Sequence, residues 1–263
     1  MTISTTRNKI NKFITALLVV AFWVAAWWVA AEIIGKEIVL PTPLKVAEAL
    51  WEMGATSHFW KAVVASFGRI VAGYAIGCAV GVALALAAWL LPVVGKILSP
   101  AVNVLKAAPV ASFTILAMMW FKSATLPLVL SAVMVLPMLY SATLHAAENI
   151  DIKLVEMGKV FRLSDAQIFF SIKLRSLVPH IVSSAASALG FAWKAGIAAE
   201  VICRPKLALG AELYDAKQYL EMPAVFAVTA VTVVLSILLE RLLKKITASM
   251  SLRKGGAPNG NQH

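Results

Sequence analysis

Long, unbroken apolar runs constrain this chain more than any other feature. The first extends over residues 13–31 without a single charge, and others follow at about 60–90, 97–121, 126–147, 181–203 and 223–243. A hydrocarbon core of about 30 Å needs roughly 20 apolar residues per helix, so each run is long enough to cross a bilayer. The runs are continuous rather than alternating, which selects helices over a membrane β-barrel. Hydrophobic residues make up 60% of the chain and charged residues 14%, too apolar a mixture for a soluble domain of this length. The expectation is an all-α, polytopic membrane protein with about six transmembrane helices.

The net charge of +11 could suggest a nucleic-acid partner, but the positions of the charges point to a bilayer instead. With six spans, both chain ends share one side. That side holds residues 1–12, the 89–99 turn, a polar stretch at 148–180 and the C-terminal residues from 241 on, with fourteen Lys and Arg in all. The opposite loops hold six: Lys36, Lys45, Lys122, Arg204, Lys206 and Lys217. The positive-inside rule assigns the heavier side to the cytoplasm. The expected organisation is a cytoplasmic N-terminus over 1–12, a membrane domain over 13–247 and a disordered cytoplasmic tail over 248–263, where the apolar pattern ends. Arg7, Lys9 and Lys12 precede the first apolar run as in a signal peptide. That run is longer than the usual 7–15 residues, so a retained helix is expected, with Trp23, Trp27 and Trp28 as interface anchors.

The polar stretch is itself patterned. Leu154, Met157, Val160 and Phe161 recur at helical spacing, as do Ile168, Phe169 and Ile172. Between them, Ser164 and Gln167 have the spacing of a capping box, and Leu163 and Ile168 occupy the positions of a hydrophobic staple. This predicts two short amphipathic helices, broken near Arg162 and Leu163, on the water side of the membrane. Their apolar faces need cover, which a soluble partner, the protein's own helices or lipid headgroups could each supply.

Several residues stand out within the spans. Gly73, Gly77 and Gly81 repeat at intervals of four, the small-xxx-small spacing that lets a second helix approach closely. Arg69, one turn earlier, is an intramembrane charge that could snorkel or pair with a carboxylate elsewhere. Lys106, Lys194 and Glu200 also fall within or near spans, where charges are expensive and face a cavity or a partner. Two readings stand here: a mildly positive path for anions, or Lys194 paired with Glu200 or with a carboxylate from another helix, beside a snorkelling Lys106. Pro109 predicts a kink in the third span, and Met118, Met119 and Trp120 could line a gate or simply pack. A short interfacial helix is expected over 45–53 and another after Arg204.

No GxxxxGK[ST] phosphate loop occurs, so ATP binding of that kind is not expected on this chain. The four histidines and two cysteines show no metal-ligand spacing, and no metal site or catalytic residue is expected. What remains is a helical transport component that docks a soluble partner through the polar stretch. An ATP-independent secondary transporter or channel is the alternative. Such folds commonly carry internal repeats, and none is evident here.

The residues also resemble a family: the permease subunits of ABC importers for aliphatic sulfonates, taurine and nitrate. LPTP (residues 40–43) is similar to that family's LPSP-type entry. ASFGRIVAGYAIGCAVG (65–81) matches its second conserved helix, with Ser66, Arg69 and the three glycines in register. FAWKAGIAAE resembles its LAW…AAE helix through Trp193, Ala199 and Glu200. The polar stretch falls where such permeases carry the EAA loop. Glu156 takes the Glu position, Met157 and Gly158 replace the alanines, and Arg162 and Arg175 replace a glycine and a proline. The resemblance implies a type I ABC importer permease fold in a bacterial cell membrane, with both termini cytoplasmic. It implies an ATPase subunit that carries ATP and Mg, an extracytoplasmic binding protein and a second permease copy as partners. It assigns ATPase coupling to Glu156, Gly158, Phe161, Arg162, Leu163, Ser164, Asp165, Gln167 and Phe169. The candidate translocation path, read from the residues within the spans, comprises Lys106, Pro109, Met118, Trp193, Lys194 and Glu200. If the glycine position needs a left-handed backbone, Arg162 there would cost roughly 1–2 kcal/mol, so an altered turn is expected.

Overall fold

The computed structural model describes residues 3–252, and side chains over residues 14–245 apart from 16 and 244. The N-terminal Arg7, Lys9 and Lys12 side chains and the tail beyond 252 lie outside the described residues. The helices are α1 (Ile3–Ile34), α2 (Pro43–Gly54), α3 (Ser57–Leu90), α4 (Pro92–Ala107), α5 (Val110–Ala117) and α6 (Leu126–Glu148). They are followed by α7 (Ile152–Val160), α8 (Asp165–Cys203), α9 (Leu209–Gln218) and α10 (Met222–Leu252). No strand occurs among the described residues.

Five of these helices are long and apolar enough to cross a membrane, and α4 with α5 make a sixth span if the bent pair is counted as one. The expected third span is thus not a kinked helix. It is two helices meeting at 107°, broken over Ala108 and Pro109. Proline cannot donate a backbone hydrogen bond, and it pushes the preceding residue toward extended backbone. Ala108 adopts that conformation (φ −69°, ψ 125°). The last helix runs on to Leu252, so residues 248–252 of the expected tail are helical.

The chain forms two compact units, one built from the residues up to Trp60 with Glu212–Val231, the other from Lys61–Ala211 with Thr232 onward. In the first, α1 ends on Gly35, whose φ of 61° is free of strain for glycine. Trp27, expected at an interface, instead stacks on Phe226 with ring centroids 5.8 Å apart. Pro43 opens α2 at a position where its missing N–H costs nothing. Lys45 pairs with Glu37, and His58 with Glu212 at 2.8 Å.

The second unit is held by backbone-to-backbone approach between α3 and α6. A Cβ added at Gly73, Gly77 or Gly81 would lie 2.2, 2.5 or 2.7 Å from the carbonyl oxygens of Leu128, Ala132 and Leu136. Those carbonyls are themselves four residues apart, so two i, i+4 rows mesh and only glycine fits. Helix α8 seals the junction: Gly196 packs on Ile70 and Ser131, and Ser131 Oγ donates to the Ala192 carbonyl at 3.1 Å. Without a hydrophobic drive between helices in lipid, such close packing and interhelical hydrogen bonds are the main sources of association.

Candidate docking surface and intramembrane charges

The polar stretch breaks where the sequence indicates. Asp151 caps α7 by accepting from the Lys153 N–H at 2.9 Å. Helix α7 closes with Arg162 in the left-handed region at φ 55°. Leu163 N–H donates to Gly158 O at 3.0 Å, and Arg162 N–H to Lys159 O at 2.9 Å, the two bonds of a Schellman motif. Arg162 itself adopts the left-handed conformation that favours glycine, and the two terminal bonds hold it there. Ser164 then opens α8 with the expected capping box, its Oγ accepting from Gln167 N–H and its N–H donating to Gln167 Oε1 at 2.8 Å. Asp165 follows in the first turn, where a negative charge suits the helix dipole.

The second helix of the stretch is not short. It runs unbroken into the fifth span, through a π-helical segment at Ile168–Lys173. Gly158 is buried against it; a Cβ there would meet Ile172 Cδ1 at 2.8 Å. Phe169, expected at the docking face, stacks on Trp89 at 5.8 Å, with Lys173 Nζ 5.7 Å above the same ring. The outward phenylalanine is its neighbour Phe170, 65% exposed, together with Phe161 at 73%. Ile152 and Val160 are exposed as well, while Glu156, Arg162, Ser164, Asp165 and Gln167 form a polar surround. The outcome is a helix pair fixed to its own helices on one side and carrying exposed aromatics on the other.

Arg69 takes the second of its two expected roles, pairing with a carboxylate elsewhere, while the Lys194–Glu200 pair does not form. Glu200 is fully buried and pairs with Arg69, not Lys194. Arg69 Nη2 donates to Glu200 Oε1 at 2.9 Å, and Ser66 Oγ and Gly210 N–H donate to Oε2 at 2.7 and 3.2 Å. Arg69 also donates to the Leu207 carbonyl, and Leu209 N–H to Ser66 Oγ at 2.9 Å. Every lone-pair direction of the carboxylate is used, so a charge that burial would penalise becomes a clamp joining α3, α8 and the start of α9. Trp193 is buried as well: it is 3% exposed, its indole N–H donates to the Thr232 carbonyl at 3.0 Å, and it borders a cavity shared with Lys194.

Lys106 and Lys194 remain exposed, and Lys106 sits at the α4–α5 break beside Pro109. Met118, Met119 and Trp120 are exposed at the end of α5. No group of three or more metal-ligating side chains is found among the described residues.

The two structural signatures, a capped helix pair joined to a span and a glycine-meshed helix core, can now be set beside known proteins. Residues 73–252 match the family described as binding-protein-dependent transport system inner membrane component. The chain is 30% identical over 211 residues to the putative aliphatic sulfonates transport permease protein SsuC of Escherichia coli, covering 79% of this chain and 76% of that protein. It is 31% identical over 163 residues to the bicarbonate transport system permease protein CmpB of Synechocystis, covering 61% of this chain but only 57% of that protein. The taurine transport system permease protein TauC of Escherichia coli is 25% identical over 217 residues, 80% of this chain and 78% of that one. In fold, the chain is similar to a crystal structure of an amino acid ABC transporter with histidines (TM-score 0.61, 13% identity, 73% of this chain and 93% of that one). It is also similar to the inward-facing MetNI methionine ABC transporter (TM-score 0.51, 20% identity, 72% and 93%). The chain belongs to the binding-protein-dependent transport system inner membrane component family.

Proposed function

We propose that this chain is the membrane-spanning permease of an ATP-driven importer for a small organic anion, coupled to a separate ATPase subunit through residues 148–180. The observation that carries the coupling is the helix pair α7–α8. Its inner face is anchored by Gly158, Ile168 and the Trp89–Phe169 stack, while Phe161 and Phe170 are bare. Rigid aromatic anchors with a polar surround are the makings of an interface hot spot. Because the second member of the pair continues into the fifth span, a push on the docking face moves a transmembrane helix directly. Helix α8 then continues past Lys194 to the Glu200 clamp.

ATP and Mg belong to the ATPase chain in this reading, and solute arrives from an extracytoplasmic binding protein. The positive charge count orients the polar stretch and both termini toward the cytoplasm of a bacterial cell membrane, with α4–α5 as one bent span. A second copy completes the path, because the lysine-bearing face cannot lie against lipid. The substrate class follows the sulfonate, taurine and bicarbonate relatives and the free lysines. Family membership favours this reading over an ATP-independent carrier or channel.

The test is an affinity pull-down of the tagged chain from native membranes. An ATPase subunit should copurify stoichiometrically, and Phe161→Asp or Phe170→Asp should each reduce it at least tenfold at unchanged permease yield. Undiminished copurification in both variants would remove the docking role.

A further inference from the structure

Lys106 and Lys194 come from different helices, yet they line one cavity of about 460 Å³ between α4, α5, α6 and α8. Its wall contains two cations and no carboxylate. Neither lysine takes part in the ion pairs Lys45–Glu37, His58–Glu212 and Arg69–Glu200 found among the described residues. Glu200 is committed to Arg69. Glu240 borders a neighbouring cavity that also meets Lys194, but its carboxylate lies against Gly190.

Lys194 stands nine residues before the end of α8, roughly 13 Å along the helix at 1.5 Å per residue. A charge at that depth is expensive unless it faces water or a partner, and two like charges in one small cavity repel. A bound anion removes both costs. The break before α5 adds to the field: Val110 lines the cavity, and the first hydrogen bond of α5 is Phe113 N–H to Pro109 O at 3.0 Å. The N–H groups of Val110, Ala111 and Ser112 therefore lie ahead of any helical acceptor, at the positive end of the dipole. The remaining wall is apolar, with Met134, Met138 and Phe191 prominent.

We infer that this cavity is an anion-selecting site within the permease itself, held by Lys106 and Lys194, for a monoanionic organic solute with a short apolar body and no ammonium group. A zwitterion would place its ammonium beside two lysines or on an apolar wall, so a plain alkanesulfonate is the better fit. The inference rests on the importer reading and adds a second filter to whatever the binding protein imposes.

The test uses the detergent-purified permease–ATPase complex without binding protein or ATP, and radiolabelled butanesulfonate as probe. Binding should be saturable and displaced by unlabelled butanesulfonate, but not by the neutral butyl methyl sulfone of similar size. It should weaken at least tenfold in Lys106→Met and in Lys194→Met and survive within about threefold in Lys194→Arg, with ATPase copurification unchanged in all three. No saturable binding to the wild-type complex, equal displacement by the sulfone, or unaltered binding in both methionine variants would each overturn the site. ATP-driven uptake of labelled butanesulfonate into proteoliposomes by the wild-type complex, with its binding protein supplied, separates the two claims: uptake with unaltered binding in the variants rejects the site alone, and uptake that proceeds without ATP rejects the importer reading.

Discussion

Glu200 illustrates how a single residue changes meaning between sequence and structure. On the sequence it stands six residues from Lys194, close enough to suggest a local pair. In the fold its partners are Arg69 and Ser66, more than 130 positions earlier, and the backbone of Gly210. That a carboxylate would meet Arg69 was legible from the cost of a lone intramembrane charge. Which carboxylate was not, because no local pattern encodes a contact of that separation. The clamp leads to a stability prediction. Arg69→Met leaves a buried, uncompensated carboxylate and should cost about 3–5 kcal/mol, whereas Arg69→Met with Glu200→Gln should recover part of the loss. Thermal unfolding of the detergent-solubilised chain measures both; a single variant as stable as wild type would contradict the clamp. Phe169 and Phe170 teach a related lesson. Regular helical spacing favours Phe169 for the outer face, but the π-helical segment at Ile168–Lys173 shifts the register, and the Trp89 ring that covers Phe169 comes from a distant helix.

At the scale of elements, most of the plan was written in the hydropathy and the punctuation. The spans other than the third, the α2 helix, the capping box at Ser164 and the glycine row all appear where their residue patterns put them. Two features were not legible. Hydropathy does not say whether a polar helix stops before a span, so the continuity of α8 through Lys173 and Arg175 was hidden by those charges. Nor does a proline announce its angle, and the α4–α5 pair bends by 107° where a kink was expected. The glycine row can be tested against an internal control. A Cβ at Gly77 would fall 2.5 Å from the Ala132 carbonyl oxygen, while Gly68 has nothing within 4 Å. Gly77→Ala should therefore destabilise by about 1–3 kcal/mol through overpacking, and Gly68→Ala should stay within about 0.5 kcal/mol of wild type. Equal melting temperatures for the two variants would show that the α3–α6 approach does not govern stability.

For the molecule as a whole, the fold and the family were readable from conserved-looking spacing in a single sequence because a membrane limits the choices to helices and fixes their lengths. The helix pair proposed to dock the ATPase was readable in outline, since amphipathic periodicity in a polar stretch needs cover. The cavity was not, since Lys106 and Lys194 are brought together only by the packing of α4, α6 and α8. These parts lie along one continuous element: Phe170 at the docking end of α8, Lys194 on its membrane portion and Glu200 near its far end. The account's central claim is that work done on α7 and α8 by an ATPase opens and closes a path for an anion. The most direct measurement is uptake of a labelled alkanesulfonate into proteoliposomes holding the copurified permease–ATPase complex and its binding protein. The account predicts accumulation only with ATP on the ATPase side, and its loss in Phe161→Asp and Phe170→Asp. Uptake by the chain alone, without ATPase or ATP, would contradict it.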